Sequence, residues 1–402
     1  MTTTYKYSSG LTSQLPFCAV PLRFDTYNNC SLGCNYCFAS TRQGFGRQQS
    51  VKVASAKALE ARLSRVELGI INSAEDEFIS NRIPFQIGGM SDPFSLLDNR
   101  FSKTIEVLEI FRKFNYPIII STKSQSIKKP EILAVLKDCN VYVRFSTTMI
   151  RESLRLKIDK GTSSYDETCE TAEELTKLKV PVSFRFQPII MGHEIEADRM
   201  IRKAANAGVV HISAEYLKVP IDANKNFGTD LKRLMENQPV QHYIRNGATR
   251  HGREYVLPIE YRRPKLARMK KTVNHYGMTF GYADNDLILF SDGSSCCGAA
   301  DLYLKDASFF SANFPGVLKD KQKGQLIFFK DLLQKWIPQR NIETYLNSRA
   351  RLGYQCVGQR PWESHLRKMW LGLHGLYAPS YFHGVEKTNN VDSEGMPIYI
   401  KT

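Results

Sequence analysis

The sequence predicts an α/β fold built around a parallel sheet, and two observations lead to this prediction. Six short β-rich runs alternate with helical stretches over the first three-quarters of the 402 residues. Several of these runs are almost continuously apolar, which is typical of parallel strands that are buried on both faces. Six βα units in succession require right-handed crossovers. We therefore expect one large α/β domain, followed by a part with a different pattern.

The individual elements follow from the same patterns. The strand candidates are residues 20–26, 84–88, 117–122, 141–146, 182–187 and 209–214. The helices expected between them are residues 53–68, 101–114, 129–137, 166–178 and 195–207. Gly208 follows the last helix, where a C-terminal cap is expected.

The pattern changes at about residue 218. Residues 222–261 are polar, irregular and rich in basic side chains, and a helix is expected at 263–275. Residues 278–283 and 287–290 resemble a hairpin that turns at Asp284–Asn285. We therefore expect a first domain at residues 1–290 that carries a basic insertion at 218–275.

The remaining residues, 291–402, are expected to form a mainly helical C-terminal extension. The helical, aromatic-rich signals include residues 326–336 and 362–373, and the last twenty or so residues resemble a tail that lies on the surface.

Composition limits the class of protein. The chain is 42% hydrophobic, its first ten residues are polar, and no apolar run is long enough to span a bilayer. We therefore expect a cytoplasmic protein without membrane contact. Nine cysteines in such a chain favour metal or redox chemistry over disulfides. The net charge of +15 suits a nucleic acid or another anionic substrate, or serves solubility alone.

The most specific motif is a cysteine loop that directly follows the first strand. Cys30, Cys34 and Cys37 have the spacing Cys-x3-Cys-x2-Cys. Three thiolates in one short loop can reach three corners of an iron–sulfur cubane. The fourth iron then stays open for a small molecule, as a catalytic zinc keeps an open position. A zinc site that lacks its fourth ligand and three free thiols are the alternative interpretations.

At this loop the sequence resembles the radical S-adenosylmethionine (SAM) superfamily, and the resemblance covers roughly residues 15–290. It implies a partial (β/α)6 TIM-type barrel with a [4Fe-4S] cluster on the three cysteines. The open iron would chelate SAM, and reductive cleavage would give a 5′-deoxyadenosyl radical that abstracts a substrate hydrogen. An electron donor such as flavodoxin or ferredoxin would supply the electron.

The same resemblance implies a SAM pocket around the loop and the strand ends. Tyr36 occupies the place of an aromatic ring that lies against the adenine, and the end of the second strand would bind the methionine amino group. The residues at that strand end are Gly88, Gly89, Ser91 and Asp92. Met90 stands where the superfamily usually has an acidic residue, so backbone carbonyls or the side chains of Ser91 or Asp92 would substitute.

Later strand ends add further polar candidates, because barrel active sites gather at the carboxyl ends of strands. Lys123 would neutralise the SAM carboxylate, and Ser146 would bond to that carboxylate or to the ribose. Arg185, Gln187 and Glu215 complete the set. For each of them, a buried structural group is the alternative interpretation.

A narrower resemblance is carried by residues 17–27, Ser91-Asp92-Pro93 and Ser121-Thr-Lys123-Ser124. Together they are similar to the spore photoproduct lyase-related branch, which is DNA repair photolyase-like. The lyase has a hydrogen-donating cysteine close to its Ser-Asp segment, whereas residues 88–91 contain no cysteine.

Two adjacent cysteines, Cys296 and Cys297, follow the expected hairpin. One of them could act catalytically by donating a hydrogen atom to a substrate radical. Alternatively, both could hold a second iron–sulfur cluster together with Cys356. Buried free thiols are the simpler interpretation.

The stretch 241–271 contains nine basic residues and only two acidic ones, with Tyr243, Tyr255 and Tyr261 among them. Arginine side chains and stacking rings are typical of sites for single-stranded or flipped nucleotides. The leading hypothesis is therefore a radical SAM enzyme that acts on a nucleic acid or nucleotide. Modification of a peptide or small metabolite, and a non-catalytic iron–sulfur protein, are the alternatives.

Overall fold

The computed structural model describes residues 3–12, 14–37, 39, 50–343, 361–373 and 377–402. Its strands are β1 (Thr3–Thr4), β2 (Ser9–Leu11), β3 (Leu22–Phe24), β4 (Lys52–Val53), β5 (Phe85–Ile87), β6 (Ile118–Thr122), β7 (Val141–Thr147), β8 (Val182–Ile189), β9 (His211–Tyr216), β10 (Val219–Pro220), β11 (Thr249–His251), β12 (Glu254–Val256), β13 (Thr279–Tyr282), β14 (Leu326–Ile327), β15 (Val385–Val391) and β16 (Pro397–Lys401).

The helices of the same residues lie mostly between these strands. They are α1 (Ala56–Glu67), α2 (Ala74–Ser80), α3 (Leu96–Phe101), α4 (Lys103–Lys113), α5 (Pro130–Leu136), α6 (Glu152–Ile158), α7 (Tyr165–Lys177), α8 (Ala197–Asn206), α9 (Ala223–Asn226), α10 (Thr229–Arg233), α11 (Pro239–Arg245), α12 (Ile259–His275), α13 (Phe314–Lys319), α14 (Phe329–Leu333) and α15 (Pro361–Trp370).

The central sheet has the order β13-β9-β8-β7-β6-β5-β3-β2. All neighbours from β3 to β13 pair in parallel, and β2 is antiparallel to β3. The six predicted strands correspond to β3, β5, β6, β7, β8 and β9, and the five helices predicted between them are also present. The prediction of an α/β partial barrel is therefore confirmed.

The predicted hairpin at residues 278–290 is wrong. β13 pairs in parallel with β9, and Asn285–Phe290 forms a 3-10 helix instead of a return strand. The reason is the 17-residue helix α12, which packs on α8 and β9. This helix supplies the crossover that a parallel neighbour requires.

Side chains alternate between the outer face of the barrel and its interior, which we call the lumen. On β8, Phe184 and Phe186 belong to the main core, and the Phe184 ring meets that of Tyr165 on α7 at 5.6 Å. Arg185 and Gln187 lie on the opposite face of the strand because successive side chains alternate. Polar groups therefore face the lumen, whose open end at the strand carboxyl termini we call the mouth.

The other end of the lumen is closed by an apolar group of residues that we call the plug. Val20, Ile119 and Tyr142 pack there against Cys297 and the π-helical turn Ala299–Tyr303. The Tyr142 hydroxyl donates a hydrogen bond to the carbonyl oxygen of Cys297 (2.9 Å). The first turn after residue 290 is therefore part of the barrel interior.

The C-terminal extension combines helices with a three-stranded antiparallel sheet, β14-β16-β15, that the sequence did not indicate. The predicted helix at 326–336 is only partly present, because β14 occupies its start. The prediction of a surface tail is wrong. Tyr399 on β16 is buried and donates to the carbonyl oxygen of Trp370 (2.6 Å), because these aromatic side chains complete the core of the extension.

The basic insertion is ordered rather than irregular. It contains α9 to α12 and the small sheet β10-β12-β11, which begins three residues after β9 ends. This small sheet therefore follows the carboxyl end of a barrel strand, where the mouth lies. Among the residues that the structure describes, no helix is long and apolar enough to cross a membrane.

Candidate active site

The cysteine loop runs from the end of β3, and two backbone contacts hold it against the segment that follows α6. The amide of Asn35 donates to the carbonyl oxygen of Ile158 (2.9 Å), and the amide of Gly161 donates to that of Leu32 (3.1 Å). A Cβ at Gly161 would lie 2.6 Å from the Leu32 oxygen, so only glycine allows this approach. The three cysteines of the loop, Cys30, Cys34 and Cys37, are partly buried and in no disulfide.

The donor set of this loop, three thiols without a fourth ligand from the described residues, fits an iron–sulfur cluster with one open iron. Nowhere in the described ranges do three Cys, His, Asp or Glu side chains stand as ligands of one ion. A zinc ion with Zn–S bonds of about 2.3 Å would require sulfurs about 4 Å apart. Thiols that bind different irons of a cubane stand farther apart. Three thiols on one anchored loop therefore agree with the cluster interpretation.

A polar network lies beside the loop and joins three strand ends. The Tyr36 hydroxyl donates to Asp159 (2.6 Å) and accepts from Lys123 Nζ (2.9 Å). Lys123 also donates to the carbonyl oxygen of Ser146 (3.2 Å) and forms an ion pair with Asp159 (3.7 Å). Thr148 donates a short hydrogen bond of 2.5 Å to Asp159. The structure thus brings together three of the predicted residues, Tyr36, Lys123 and Ser146.

Asp159 is the residue of this network that the sequence did not reveal. Burial alone would raise its pKa, but the charge of Lys123 and the hydrogen bonds from Thr148 and Tyr36 outweigh burial and lower it. Burial raises the pKa of Cys34, which lies close enough to Asp159 and Lys123 to feel both charges. Metal binding at Cys34 would therefore release a proton.

A buried carboxylate shapes the turn after β5. Asp25 is fully buried and accepts hydrogen bonds from the amides of Met90 (2.8 Å) and Ser91 (3.2 Å). The Ser91 hydroxyl donates to the carbonyl oxygen of Tyr27 (2.6 Å), and Asp92 accepts from the amide of Lys123 (2.7 Å). Ser91 and Asp92 were expected at the cofactor. Their side chains instead form these hydrogen bonds within the protein and stabilise the turn.

The two glycines of this turn differ in what surrounds them. Gly88 has a φ of +86°, and a Cβ there would lie 2.2 Å from the carbonyl oxygen of Ser121. Gly89 has no atom within 4 Å of the position that a Cβ would take. Gly88 is therefore required for backbone packing, whereas open space beside Gly89 leaves room for a ligand.

Matched substitutions should separate these two roles. We expect Gly88→Ala to lower the free energy of unfolding by about 2 kcal/mol or more, because it adds both left-handed strain and a backbone clash. Gly89→Val should fold normally and bind SAM at least ~10-fold more weakly, since the branched side chain fills the open space. Thermal unfolding and SAM titration of the anaerobic protein measure the two effects. Unchanged SAM affinity in Gly89→Val would contradict a ligand at this position.

Deeper in the lumen lie two arginines. Arg144 on β7 is buried and donates to Ser121 Oγ (2.8 Å) and Gln86 Oε1 (3.1 Å). Arg185 on β8 lies near enough for the two guanidinium charges to repel. Burial lowers the pKa of Arg185 to about 10, and the charge of Arg144 acts in the same direction.

Higher in the lumen, Gln187 and Glu215 form a hydrogen-bonded pair. Lys218 forms an ion pair with the same Glu215 carboxylate, so this carboxylate already has two partners. The two expected residues therefore lie together, next to the mouth.

The cysteine pair Cys296–Cys297 lies between the plug and the arginines. Cys297 is 1% exposed and belongs to the plug. Cys296 is partly accessible, and burial raises its pKa to about 11, with Arg185 and Arg144 opposing this rise. Its carbonyl oxygen bonds to His211 Nε2 (3.0 Å). Of the two predicted cysteines, Cys296 is therefore the less buried.

The structure gives no support for a second cluster at the cysteine pair. Cys18 lies close enough to Cys296 and Cys297 to interact electrostatically with both. Cys356 lies outside the described residues. The cysteines near the plug do not form a three-ligand metal group within the described ranges.

Most of the basic segment 241–271 is engaged in ion pairs. Five of its nine basic residues pair with acidic residues elsewhere, and they are Arg245, Arg262, Lys265, Arg268 and Lys270. Arg262 is buried between Asp284 and Asp286, so this member of the basic segment is not accessible to a nucleic acid.

Two of the three tyrosines of the segment, Tyr243 and Tyr261, are also engaged in hydrogen bonds. Tyr243 is fully buried, and its hydroxyl donates to the carbonyl oxygen of Leu217 (2.8 Å). The Tyr261 hydroxyl donates to Glu194 (2.9 Å). What remains exposed near the mouth is the β11–β12 hairpin with Arg250 and Arg253.

Residues 25–207 match the family model described as the radical SAM superfamily. Among solved structures, the chain is similar to a spore photoproduct lyase double mutant with bound AdoMet and dinucleoside spore photoproduct. The identity is 16%, the TM-score is 0.48, and the match covers 68% of this chain and 77% of that one. SuiB from Streptococcus suis bound to S-adenosylmethionine matches at 15% identity with a TM-score of 0.38, over 56% and 48% of the two chains. No curated protein matches the chain.

Proposed function

Because this chain is an enzyme of the radical SAM superfamily, with its family domain at residues 25–207, we propose that it abstracts a hydrogen atom from a nucleic acid or nucleotide. Family membership implies a [4Fe-4S] cluster and SAM. When bound, this pair supplies a 5′-deoxyadenosyl radical after one-electron reduction by a donor of the flavodoxin or ferredoxin class. The observation that carries the proposal is the anchored loop with Cys30, Cys34 and Cys37 at the mouth of a charged lumen.

The residues around the loop suit a zwitterionic cofactor. Cys30, Cys34 and Cys37 would hold the cluster, and the open space beside Gly89 would admit SAM. Lys123 is fixed by Tyr36 and Asp159, so its charge is oriented before a ligand arrives. Such preorganisation reduces the cost of binding a carboxylate. We assign Lys123 to the SAM carboxylate on this ground.

Cys296 is suited to end the reaction by donating a hydrogen atom. The raised pKa keeps its thiol protonated near neutral pH, so the S–H bond is intact. Transfer of its hydrogen atom to a substrate carbon radical forms a C–H bond and leaves a thiyl radical. One electron from the external donor and one proton then restore the thiol.

Replacing Cys296 with serine should separate this step from SAM cleavage. We expect Cys296→Ser to form 5′-deoxyadenosine but to lose or divert the substrate product, because an O–H bond is too strong to donate its hydrogen atom. Cys297→Ser is the matched control and should give the normal product, since that thiol lies in the plug. Chromatography of both products measures the two steps. A normal product distribution in Cys296→Ser would exclude the hydrogen-donor assignment.

The nucleic-acid part of the proposal rests on the exposed hairpin. Arg250 lies on β11 and Arg253 at the turn of the hairpin. Both are exposed, make no ion pair within the described ranges, and follow the carboxyl end of β9 through the small sheet. Two arginines at a barrel mouth can neutralise phosphates of a strand whose base enters the lumen. The net charge of +15 adds long-range attraction.

A salt titration tests this contact. We expect the protein to bind a single-stranded oligonucleotide at low salt. Arg250→Ala/Arg253→Ala should weaken binding and reduce the slope of log K against log salt by about 1.4, since each phosphate contact on a single strand contributes about 0.7. Arg245→Ala/Arg268→Ala is the control, because both arginines are already paired with acids. If no oligonucleotide binds, or if both double variants behave alike, a peptide or small metabolite becomes the better candidate substrate.

A further inference from the structure

The lumen contains a cation without a partner. Arg185 makes no hydrogen bond or ion pair with any residue in the part of the chain that the structure describes. Its neighbour Arg144, in contrast, is satisfied by Ser121 and Gln86. Glu215 is the carboxylate that attracts Arg185. The Glu215 carboxylate, however, accepts its hydrogen bonds from Gln187 and Lys218.

A second unsatisfied group lies on the same face of the same strand. Gln187 Oε1 is buried and has no hydrogen-bond partner. Residues 185 and 187 point to the same side of β8, about 7 Å apart along the strand. The lumen therefore offers a ligand the positively charged hydrogen-bond donors of the Arg185 guanidinium. Closer to the mouth, it also offers Gln187 Oε1 as a hydrogen-bond acceptor.

Neither feature contributes to stability as it stands. A partly buried guanidinium without a partner, and a buried carbonyl oxygen without a donor, both cost folding free energy. Such costs are typical of sites where a ligand supplies the missing partner. The charges in the lumen also favour an anionic ligand. Arg144 and Arg185 face the lumen, and the negative charge of Glu215 is already balanced by Lys218.

Building on the proposed function, we propose that Arg185 binds an oxyanion of the substrate, a phosphate or a carboxylate, inside the lumen. Gln187 Oε1 then accepts a hydrogen bond from a hydroxyl or amino group of the same molecule. This assignment replaces the expectation that both residues bind SAM. The SAM carboxylate is left to Lys123, whose charge is oriented at the cysteine loop.

The anchor also fixes where the reacting carbon lies. Cys296 is close enough to Arg185 for the guanidinium to act on its pKa. A substrate held by its oxyanion at Arg185 therefore presents neighbouring carbon atoms to the Cys296 thiol. The bidentate geometry of a guanidinium fixes orientation as well as position.

Binding measurements on the reconstituted, SAM-loaded protein test the proposal. The probes are inorganic phosphate, acetate, adenosine 5′-monophosphate and uncharged adenosine, measured by calorimetry. We expect at least one anion to bind, and Arg185→Gln to weaken that binding at least ~10-fold, because a charge-assisted bidentate contact is lost. Arg112→Gln, on the outer helix α4, is the matched control and should bind as the wild type does. Comparing the affinities for phosphate and for acetate shows whether Arg185 binds a phosphate or a carboxylate group of the substrate.

Two further readouts distinguish ligand binding from a structural role. Arg185→Gln should raise the thermal unfolding midpoint, since a partly buried charge without a partner is removed, and it should leave SAM affinity unchanged. A lower midpoint would overturn the proposal in favour of a structural role, and weaker SAM binding would overturn it in favour of the cofactor. Equal binding of all anions by wild type and Arg185→Gln would also overturn it. Reductive SAM cleavage without substrate tests the proposed function separately, so the two failures are distinguishable.

Discussion

Replacing Cys34 with alanine is expected to abolish the cluster and all reductive cleavage of SAM. The site holds three thiols on one loop, and the described neighbours Asp159 and Lys123 cannot replace a thiolate, because one is occupied in hydrogen bonds and the other is a cation. Iron content should fall from about four per chain towards zero. Iron analysis, the visible absorption of the anaerobic protein and 5′-deoxyadenosine formation measure the effect.

The matched control is Cys139→Ala. Cys139 follows α5, distant in sequence from the loop, and its sulfur contacts the carbonyl oxygen of Leu108 (3.9 Å). That variant should retain iron and activity. A Cys34→Ala protein that kept four irons and cleaved SAM would rule out the assignment of the loop.

Removing the buried charge at Arg262 is expected to have the largest effect on stability. Its guanidinium donates to Asp286 Oδ1 (2.9 Å) and to the carbonyl oxygen of Leu257 (2.7 Å), and Asp284 lies 3.2 Å away. Arg262→Ala leaves the buried Asp284 and the partly buried Asp286 without this cation. We expect a loss of about 3–5 kcal/mol in the free energy of unfolding, which denaturant titration at pH 7.5 measures.

Arg268→Ala, on the same helix, is the control variant, because it removes an exposed arginine instead of a buried one. The Arg268 side chain is 76% exposed and pairs with Asp198, whereas that of Arg262 is 3% exposed. Exposed pairs contribute little, so we expect a change within about 0.5 kcal/mol. Similar effects of the two substitutions would contradict the structural role of Arg262.

The predictions that succeeded depended on local patterns. Strands such as β6, with three consecutive isoleucines, are recognisable because burial on both faces removes polar residues from them. The cysteine spacing is equally local, since one loop supplies all three thiols. The seventh parallel strand was predicted at residues 278–283 but assigned to a hairpin, because Asp284–Asn285 has the composition of a hairpin turn. The long helix α12 decides its direction, and a turn pattern carries no information about a crossover.

The residues that were missed or misassigned depend on contacts between distant segments. Asp25 and Asp159 carry no motif, and their importance arises only when buried amides and hydroxyls from other strands converge on them. The basic segment failed as a prediction for the same reason. Counting charges does not reveal that Arg268 pairs with Asp198, 70 residues earlier in the chain.

The plug has a kinetic consequence. Tyr142, Cys297 and the turn Ala299–Tyr303 close one end of the lumen, so a ligand that enters through the mouth cannot leave at the opposite end. Arg185 lies deeper than the cysteine loop, so a substrate anchored there must pass the loop on its way in and out. SAM and substrate would then bind and dissociate in a compulsory order, because occupancy of the site beside the cysteine loop governs access to Arg185. In a lumen that is closed at one end, product release limits the turnover rate as much as the chemical step does.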